Sequence, residues 1–172
     1  MHKKIAECIK KIGFSPNVHK FQHRIILQKV IYLLQLAGIK FGFQFGLYIR
    51  GPYSPELANC LFNKLKFTDS NRCLTKREQT IVKKFKAVFP SLDPKILEIA
   101  ATYAYFAFQK KQDFITAAKN LKRIKPFFSE SDIAVGISKA KLFLYNPSRK
   151  EVNATIDEFK DFENICLLSL QK

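Results

Sequence analysis

Acidic residues are scarce in this sequence. Its 172 residues include 14 Asp and Glu against 30 Lys and Arg, which gives a formal net charge of +16 and an isoelectric point near 9.8. Residues 1–67 hold 11 of these cations and only two acids, Glu7 and Glu56, so we expect any electropositive face to draw mainly on the first third. The excess favours a phosphate-rich or acidic partner, although a Lys-rich, AT-biased genome would produce it as well.

Tryptophan is absent and methionine occurs once, whereas there are 17 phenylalanines, so we expect aromatic rings to fill much of the interior. Hydrophobic residues make up 47% of the chain, which excludes general disorder, and the length suits a single domain over residues 1–172. No apolar run reaches the roughly 18–20 residues that a membrane-spanning helix needs. The segment MHKKIAECIKKIGF is basic and has no long apolar region. These patterns predict a soluble cytoplasmic protein that does not enter a membrane.

Residues that carry catalytic and metal chemistry are few. The four cysteines never form a C-x-x-C pair, which predicts buried, reduced thiols and neither a zinc site nor a disulfide framework. His19 and His23, four residues apart, could form half of a metal site, but no obvious third ligand accompanies them, and we assign no metal or other cofactor. The sequence has no G-x-S-x-G, H-E-x-x-H, P-loop or G-x-G-x-x-G motif. This inventory predicts a non-enzymatic protein with no catalytic residue.

Hydrophobic periodicity predicts a mainly α-helical, single-domain bundle. A helix over residues 21–37, apolar nearly all round and ended by Gly38, is expected to be its buried centre. Its polar strip of Arg24, Gln28 and Gln35 is expected to bond to the backbone of the turn that follows. Periodicity and capping residues place further helices at residues 3–12, 57–66, 76–89 and 95–110, two more ending near residues 124 and 144, and a last one at 149–169.

A single β-strand is predicted after the central helix. Residues 41–49 alternate between apolar side chains and small or polar ones, the pattern of a strand with one buried face. One strand is not stable alone, so it needs a partner, either the stretch around residues 72–74 or the edge of another chain. The second arrangement would make a homodimer. Beyond the strand, Ser54 is the expected N-cap of a helix that starts at Pro55.

Candidate binding residues flank this strand and the turn after it. Lys40, Tyr48, Arg50 and Tyr53 combine rings and cations that can engage bases, phosphates or the backbone of a partner protein. The alternative is that Arg50 and Tyr53 brace the turn against the central helix.

Two further basic groups are candidates for nucleic-acid contact. The predicted helices 57–66 and 76–89 could form a helix-turn-helix with Lys76 and Arg77 at the start of the reading helix, although their connection is longer than usual. Lys122 and Arg123 belong to a basic region around a later helix, for which an ordinary solvated face is the alternative.

The central stretch carries a family resemblance. LQKVIYLLQ, followed by an aromatic strand that ends in YIRGPYSPEL, resembles the YwgA-like proteins and, more distantly, the Panacea (SocA-like) antitoxin domain. LEIAATYAYF and IKPFFSESDIAVGISKAKLF are similar to later helices of the YwgA-like group, so the resemblance covers a core of about residues 21–143. It implies a helical interaction domain that neutralises partner toxins or acts as an adaptor. The high positive charge departs from the antitoxin pattern and favours a nucleic-acid or acidic-protein partner.

Two functional hypotheses follow. The first is a non-enzymatic interaction or regulatory module, antitoxin-like or an accessory subunit of a larger defence or toxin–antitoxin system, whose basic surface contacts nucleic acid or an acidic partner. The second is a DNA- or RNA-binding protein or regulator that acts through the basic first third and binds with a steep salt dependence. A protein is the main expected partner under the first hypothesis, and nucleic acid is under the second.

Overall fold

The computed structural model describes residues 2–63 and 73–146, which form seven α-helices and one β-hairpin. The helices are α1 (His2–Ile12), α2 (Phe21–Leu36), α3 (Pro55–Asn63), α4 (Lys76–Val88), α5 (Pro94–Ala104), α6 (Phe114–Ile124) and α7 (Glu130–Leu144). The strands are β1 (Gly46–Tyr48) and β2 (Gly51–Tyr53), and a π-helical turn (Tyr105–Gln109) directly follows α5. The predicted mainly α-helical bundle around a buried α2, with a small β element, is confirmed.

The predicted C-terminal helix at residues 149–169 lies outside the described residues, as do Cys166 and residues 64–72. Within the described part of the chain, no helix is both long and apolar enough to cross a membrane.

Two helices share the buried centre of the bundle. α2 is buried along residues 25–34, and α5 is buried along residues 97–104. α5 packs against α2, α6 and α7, while α4 packs against α1 and α7. The periodicity predicted α2 as the centre but did not distinguish α5, because the alanines of α5 add little to an apolar pattern. Those same small side chains allow neighbouring helices to approach closely.

Capping residues set the N-terminal ends of the helices as predicted, whereas the helix predicted over residues 95–110 ends as an α-helix at Ala104 and continues as the π-helical turn. Thr75 Oγ1 accepts a hydrogen bond from the Glu78 backbone N–H (3.2 Å), and Glu78 Oε2 accepts one from the Thr75 N–H (2.9 Å), which completes a capping box. Gly38 ends α2 at a φ of +110°. Side chains also cap four other helices: Ser54 caps α3, Asp93 caps α5, Asp113 caps α6 and Ser129 caps α7.

The predicted strand over residues 41–49 is wrong in its extent. Of residues 41–49, Gly46–Tyr48 alone form a strand. Gly42 has a φ of +85°, which breaks the extended backbone earlier in this stretch. The predicted alternation of buried and exposed side chains is confirmed for Phe41, Phe43 and Phe45, which are buried in the core. It fails at Ile49, which lies in the turn and is 90% exposed.

Glutamine side chains take the place of a neighbouring strand along this segment. Gln35 of α2 accepts from the Phe43 backbone N–H (3.1 Å) and donates to the Phe43 carbonyl oxygen (2.7 Å). Gln109, in the π-helical turn, donates to the carbonyl oxygen of Phe45 (3.2 Å). These backbone groups of Phe43 and Phe45 are therefore satisfied without a β-ladder.

The strand partner also differs from both predicted partners. β1 pairs antiparallel with β2, with Gly46 opposite Tyr53 and Tyr48 opposite Gly51. The predicted partner stretch is used elsewhere, since the backbone N–H groups of Cys73 and Leu74 donate to Glu7 Oε2 of α1 at 2.6 and 3.1 Å. The hairpin is thus local in sequence.

The suggested helix-turn-helix of α3 and α4 is not the way these helices pack. Among the described residues, α3 makes its main contact with α2, whereas α4 makes its main contacts with α1, α2 and α7. The two helices therefore belong to different parts of the bundle.

Candidate binding groove at the hairpin

The hairpin closes in a tight turn formed by Ile49 and Arg50, between the paired residues Tyr48 and Gly51. Gly51 has a φ of +79°, and a Cβ atom there would lie 2.4 Å from Thr102 Oγ1 of α5. The turn therefore requires glycine both for its backbone angle and for its close approach to α5.

Two side chains of the central helix α2 hold β2 and the residue that follows it. Gln28 Nε2 donates to the Ser54 carbonyl oxygen and Gln28 Oε1 accepts from the Ser54 N–H, both at 3.0 Å. Lys29 Nζ donates to the carbonyl oxygen of Pro52 at 2.7 Å. The expectation that the polar strip of α2 bonds to the backbone that follows the helix is confirmed for Gln28. Arg24 differs, because its guanidinium donates to two carbonyl oxygens of the preceding loop at 3.0 Å.

Three charged side chains are buried beneath the hairpin: Lys29, Glu98 and Lys125, which are 1%, 3% and 2% exposed. We call them the buried charge cluster. Lys125 Nζ lies 2.5 Å from Glu98 Oε1 and also donates to the carbonyl oxygen of Ile49 in the turn. Arg50 Nη1 is 4.0 Å from Glu98 Oε2. The cluster therefore joins the turn to α2, to α5 and to the residue that follows α6.

The α2 member of the buried charge cluster, Lys29, has a lowered proton affinity because it is buried. Burial lowers the pKa of Lys29 to about 7, with the Glu98 carboxylate acting against this shift and the Lys125 charge adding to it. Two lysines share one carboxylate in a region removed from water, which disfavours a second positive charge. None of these residues is among the predicted binding residues, although a lysine inside the apolar run of α2 is a visible signal in the sequence.

A groove of about 350 Å³ opens between the hairpin, the first half of α2, and α3. We call it the hairpin groove. Apolar side chains, among them Ile25 and Leu61, form most of its remaining wall. Its rings and guanidinium groups are those of Phe21, Arg24, Tyr48, Arg50, Tyr53 and Phe62.

The rings and cations of the groove contact one another. The Tyr48 and Tyr53 rings meet edge to face with centroids 5.3 Å apart. The Arg24 guanidinium carbon lies 5.4 Å from the Phe21 ring centroid and 5.6 Å from that of Phe62. Phe21, Tyr48 and Phe62 are each about half exposed. The groove thus presents aromatic faces and positive charge to solvent.

The structure brings together three of the predicted binding residues, Tyr48, Arg50 and Tyr53, at one wall of the groove. Lys40 is exposed just beyond the C-terminal end of α2, whereas the groove lies along the N-terminal half of that helix. Phe21 and Phe62 are not among the predicted binding residues, because only the folding of the chain brings them beside the hairpin.

The other predicted cations lie on separate helices. Lys76 and Arg77 are exposed in the first turn of α4, and Arg77 lines a different hollow of about 230 Å³ beside the end of α2. Lys122 pairs with Glu130 at 2.5 Å, and Arg123 is exposed at the end of α6. These four residues do not join the hairpin groove.

The histidine pair has structural partners. The Asn17 backbone N–H donates to His23 Nδ1 at 2.9 Å, and the His23 ring contacts that of Phe14 with centroids 5.1 Å apart. The His19 N–H donates to Asn17 Oδ1 at 2.9 Å. Among residues 2–63 and 73–146, no three His, Cys, Asp or Glu side chains cluster in a way that could hold a metal ion.

The described residues include three cysteines, Cys8, Cys60 and Cys73, and each carries a thiol. Cys8 and Cys60 are buried. Burial raises the pKa of Cys8 to about 12, which keeps it protonated and unreactive. Cys73 Sγ donates to Glu7 Oε2 at 3.1 Å.

Comparisons of the chain with protein-family models, with curated proteins and with solved structures gave no match. The hairpin groove and the positive charge of the chain are therefore the features from which we infer a function.

Proposed function

We propose that this chain is a non-enzymatic interaction module, antitoxin-like or an accessory subunit of a larger system, that binds a partner protein through the hairpin groove. The observation that carries the proposal is the groove lining, in which four aromatic rings and two arginines surround an apolar hollow. Tyrosine and arginine are enriched among the residues that contribute most to protein–protein affinity.

The exposed turn supports the same role. Ile49 is 90% exposed at the tip of the hairpin, next to the half-exposed ring of Tyr48. The turn is nevertheless held firmly, because Lys125 binds the carbonyl oxygen of Ile49 and Lys29 binds that of Pro52. A rigid apolar tip loses little conformational freedom when a partner covers it, which favours binding.

The family resemblance adds independent support. The segments that resemble the Panacea (SocA-like) and YwgA-like domains, LQKVIYLLQ and YIRGPYSPEL, provide Gln28 and Lys29 of the α2 wall and the whole hairpin wall of the groove. An adaptor or antitoxin domain acts by binding, which agrees with the proposed use of this surface.

Selection of binding peptides with two matched variants tests the proposal. A displayed peptide library is selected on the full chain, and the peptides recovered are titrated against Ile49→Asp and Ile115→Asp. Both isoleucines are exposed, Ile49 at the groove and Ile115 on α6. We expect Ile49→Asp to weaken binding about tenfold or more and Ile115→Asp to leave it unchanged. Equal binding by the two variants, or no selected peptide, would contradict the proposal.

Nucleic-acid binding through the basic first third is the second candidate function. The net charge of +16 favours it, and Lys3, Lys20 and Lys40 are exposed. Other cations of this third are engaged internally, since Lys4 pairs with Glu78 at 2.7 Å and Lys29 is buried. Fluorescence anisotropy with single-stranded and duplex oligonucleotides tests it: the affinity should fall steeply between low and moderate salt, and a flat response eliminates this function.

A further inference from the structure

Arg50 is the cation of the hairpin groove that is best placed to bind an anion. Its side chain is 60% exposed, and its nearest carboxylate oxygen, Glu98 Oε2, is 4.0 Å away, beyond hydrogen-bond distance. Within the described residues, the Arg50 guanidinium donates no hydrogen bond. Arg24, across the groove, already donates to two carbonyl oxygens. The donors of Arg50 are thus open to a ligand.

The groove and the region beneath it have an excess of positive charge. Among the described residues, the groove lining includes Arg24, Lys29 and Arg50 but no acidic side chain. Below it, Glu98 is the carboxylate of the buried charge cluster, and its Oε1 atom is already bound by Lys125. A bound anion at the wall of the groove would offset this excess.

We propose that the hairpin groove recognises an aliphatic or aromatic side chain accompanied by a carboxylate, and that Arg50 binds the carboxylate while the apolar side chain enters the hollow. The inference rests on the proposed function, since it names the chemistry of the partner segment. A carboxylate suits one arginine because a guanidinium donates two parallel hydrogen bonds to it. The mainly apolar wall, with Ile25, Ile49 and Leu61, suits the neighbouring side chain.

The observations favour a carboxylate over the phosphates of a nucleic acid. A strand of nucleic acid presents a row of charges and is bound by a row of exposed cations. In the groove, Arg24 Nη1 already donates to two carbonyl oxygens and Lys29 is 1% exposed, so that within the described lining Arg50 is the cation that makes no hydrogen bond to the protein. One open arginine is matched to one carboxylate.

Binding of such a segment is coupled to the protonation of Lys29. Burial lowers the pKa of Lys29 to about 7, so near neutral pH this side chain is part protonated. The charged groups that surround it are Arg50 of the turn, Glu98 of α5 and Lys125 after α6, while the phenols of Tyr48 and Tyr53 line the groove. A carboxylate brought nearby raises the Lys29 pKa. The complex therefore takes up protons and is tighter at pH 6 than at pH 8, by about fivefold.

Two synthetic peptide libraries test the chemistry of the partner. Both have seven residues with a central Phe or Leu, and they differ in the flanking positions, which are Asp or Glu in one library and Asn or Gln in the other. We expect the full chain to select binders from the acidic library. We expect Arg50→Gln to weaken the best binder about tenfold, Arg50→Lys to retain part of the affinity, and Lys119→Gln, which removes an exposed charge on α6, to have no effect.

Calorimetry of the best acidic peptide tests the proton coupling. Titration in buffers of different ionisation enthalpy should show proton uptake by the wild-type protein near pH 7, and Lys29→Met should abolish it. Because Lys29 is buried, the folding of that variant is checked by circular dichroism. The affinities of the wild-type protein for the peptide at pH 6 and pH 8 test the proton coupling without any variant. Equal affinities at the two pH values would contradict the coupling.

The outcomes separate the two proposals. Equal selection from the acidic and neutral libraries, or unchanged binding by Arg50→Gln, overturns the carboxylate inference and leaves the interaction module in place. No binder from either library contradicts both. Oligonucleotides that bind in an Arg50-dependent way when no peptide does would assign the groove to nucleic acid and overturn the inference.

Discussion

At the scale of single residues, the charge beneath the hairpin is the least expected feature. Lys29 lies in the buried part of α2, and its side-chain nitrogen donates to the carbonyl oxygen of Pro52. A buried lysine is costly when charged, and this cost appears as a lowered pKa. The hydrogen bond keeps the group satisfied whether or not it carries the extra proton, because a neutral amine still donates.

We predict that this lysine makes the protein more stable as the pH rises from 7 to 9. Lys29 keeps a pKa near 10.5 in the unfolded chain and has one of about 7 when folded. Between these values the unfolded chain binds more protons, so the free energy of unfolding increases with pH, by about 2 kcal/mol over this window. Cys8, whose pKa burial raises, opposes the trend only above its unfolded value of 9.

Urea denaturation at pH 7 and pH 9 measures this effect. Lys29→Met removes the titrating group, so its stability should change little over the same range. A wild-type stability that stays level or falls between pH 7 and 9 would show that the Lys29 pKa is not lowered.

At the scale of elements, the hairpin is shaped by its neighbours more than by its two short strands. Each strand has three residues, too few for a hairpin to be stable by itself. Lys29 binds its second strand, Gln28 binds Ser54 directly after that strand, Lys125 binds its turn, and Gly51 places the turn directly against α5. The groove therefore depends on the packing of the hairpin against the helices.

A pair of glycine variants tests this packing. Gly42 and Gly51 both have positive φ, +85° and +79°, but a Cβ at Gly51 would meet Thr102 Oγ1 at 2.4 Å whereas one at Gly42 would meet nothing within 4 Å. Gly42→Ala and Gly51→Ala should each lose about 1 kcal/mol of unfolding free energy, because alanine is strained at a positive φ. Gly51→Ala should lose a further 1–2 kcal/mol, roughly, through the clash. Denaturant unfolding of the two variants measures the difference, and equal losses would mean that the turn does not press on α5.

At the scale of the whole molecule, the bundle is built around the contact of α5 with α2 on one side and with α7 on another. A Cβ atom at Gly136 of α7 would lie 2.4 Å from Ile99 Cγ2 of α5, so these two helices approach as closely as glycine permits. The ring cluster of Phe85, Phe89 and Phe143 then fills the space between α4 and α7. This agrees with the expectation that phenylalanine rings fill the interior.

Gly136→Ala should destabilise the bundle even though alanine favours helix formation. The gain in helix propensity is about 1 kcal/mol, and overpacking against Ile99 costs about 1–3 kcal/mol, so we expect a net loss. Ser138→Ala, at an exposed position of the same helix, is the control and should change the stability by less than about 0.5 kcal/mol. An increase in the unfolding midpoint of Gly136→Ala would show that α5 and α7 can separate without loss.

The helical class, the N-terminal ends of the helices and the burial of α2 follow from local features of the sequence. Thr75, Asp93 and Asp113 cap their helices through bonds that span two or three residues, so each boundary is a local property of the chain. Tertiary packing, by contrast, set the bonds of Phe43 and Phe45 to glutamines of α2 and of the π-helical turn, and the pairing of β1 with β2. It alone gathered the buried charge cluster and the groove from elements far apart in the chain, because such contacts depend on which helices pack together and leave no local pattern.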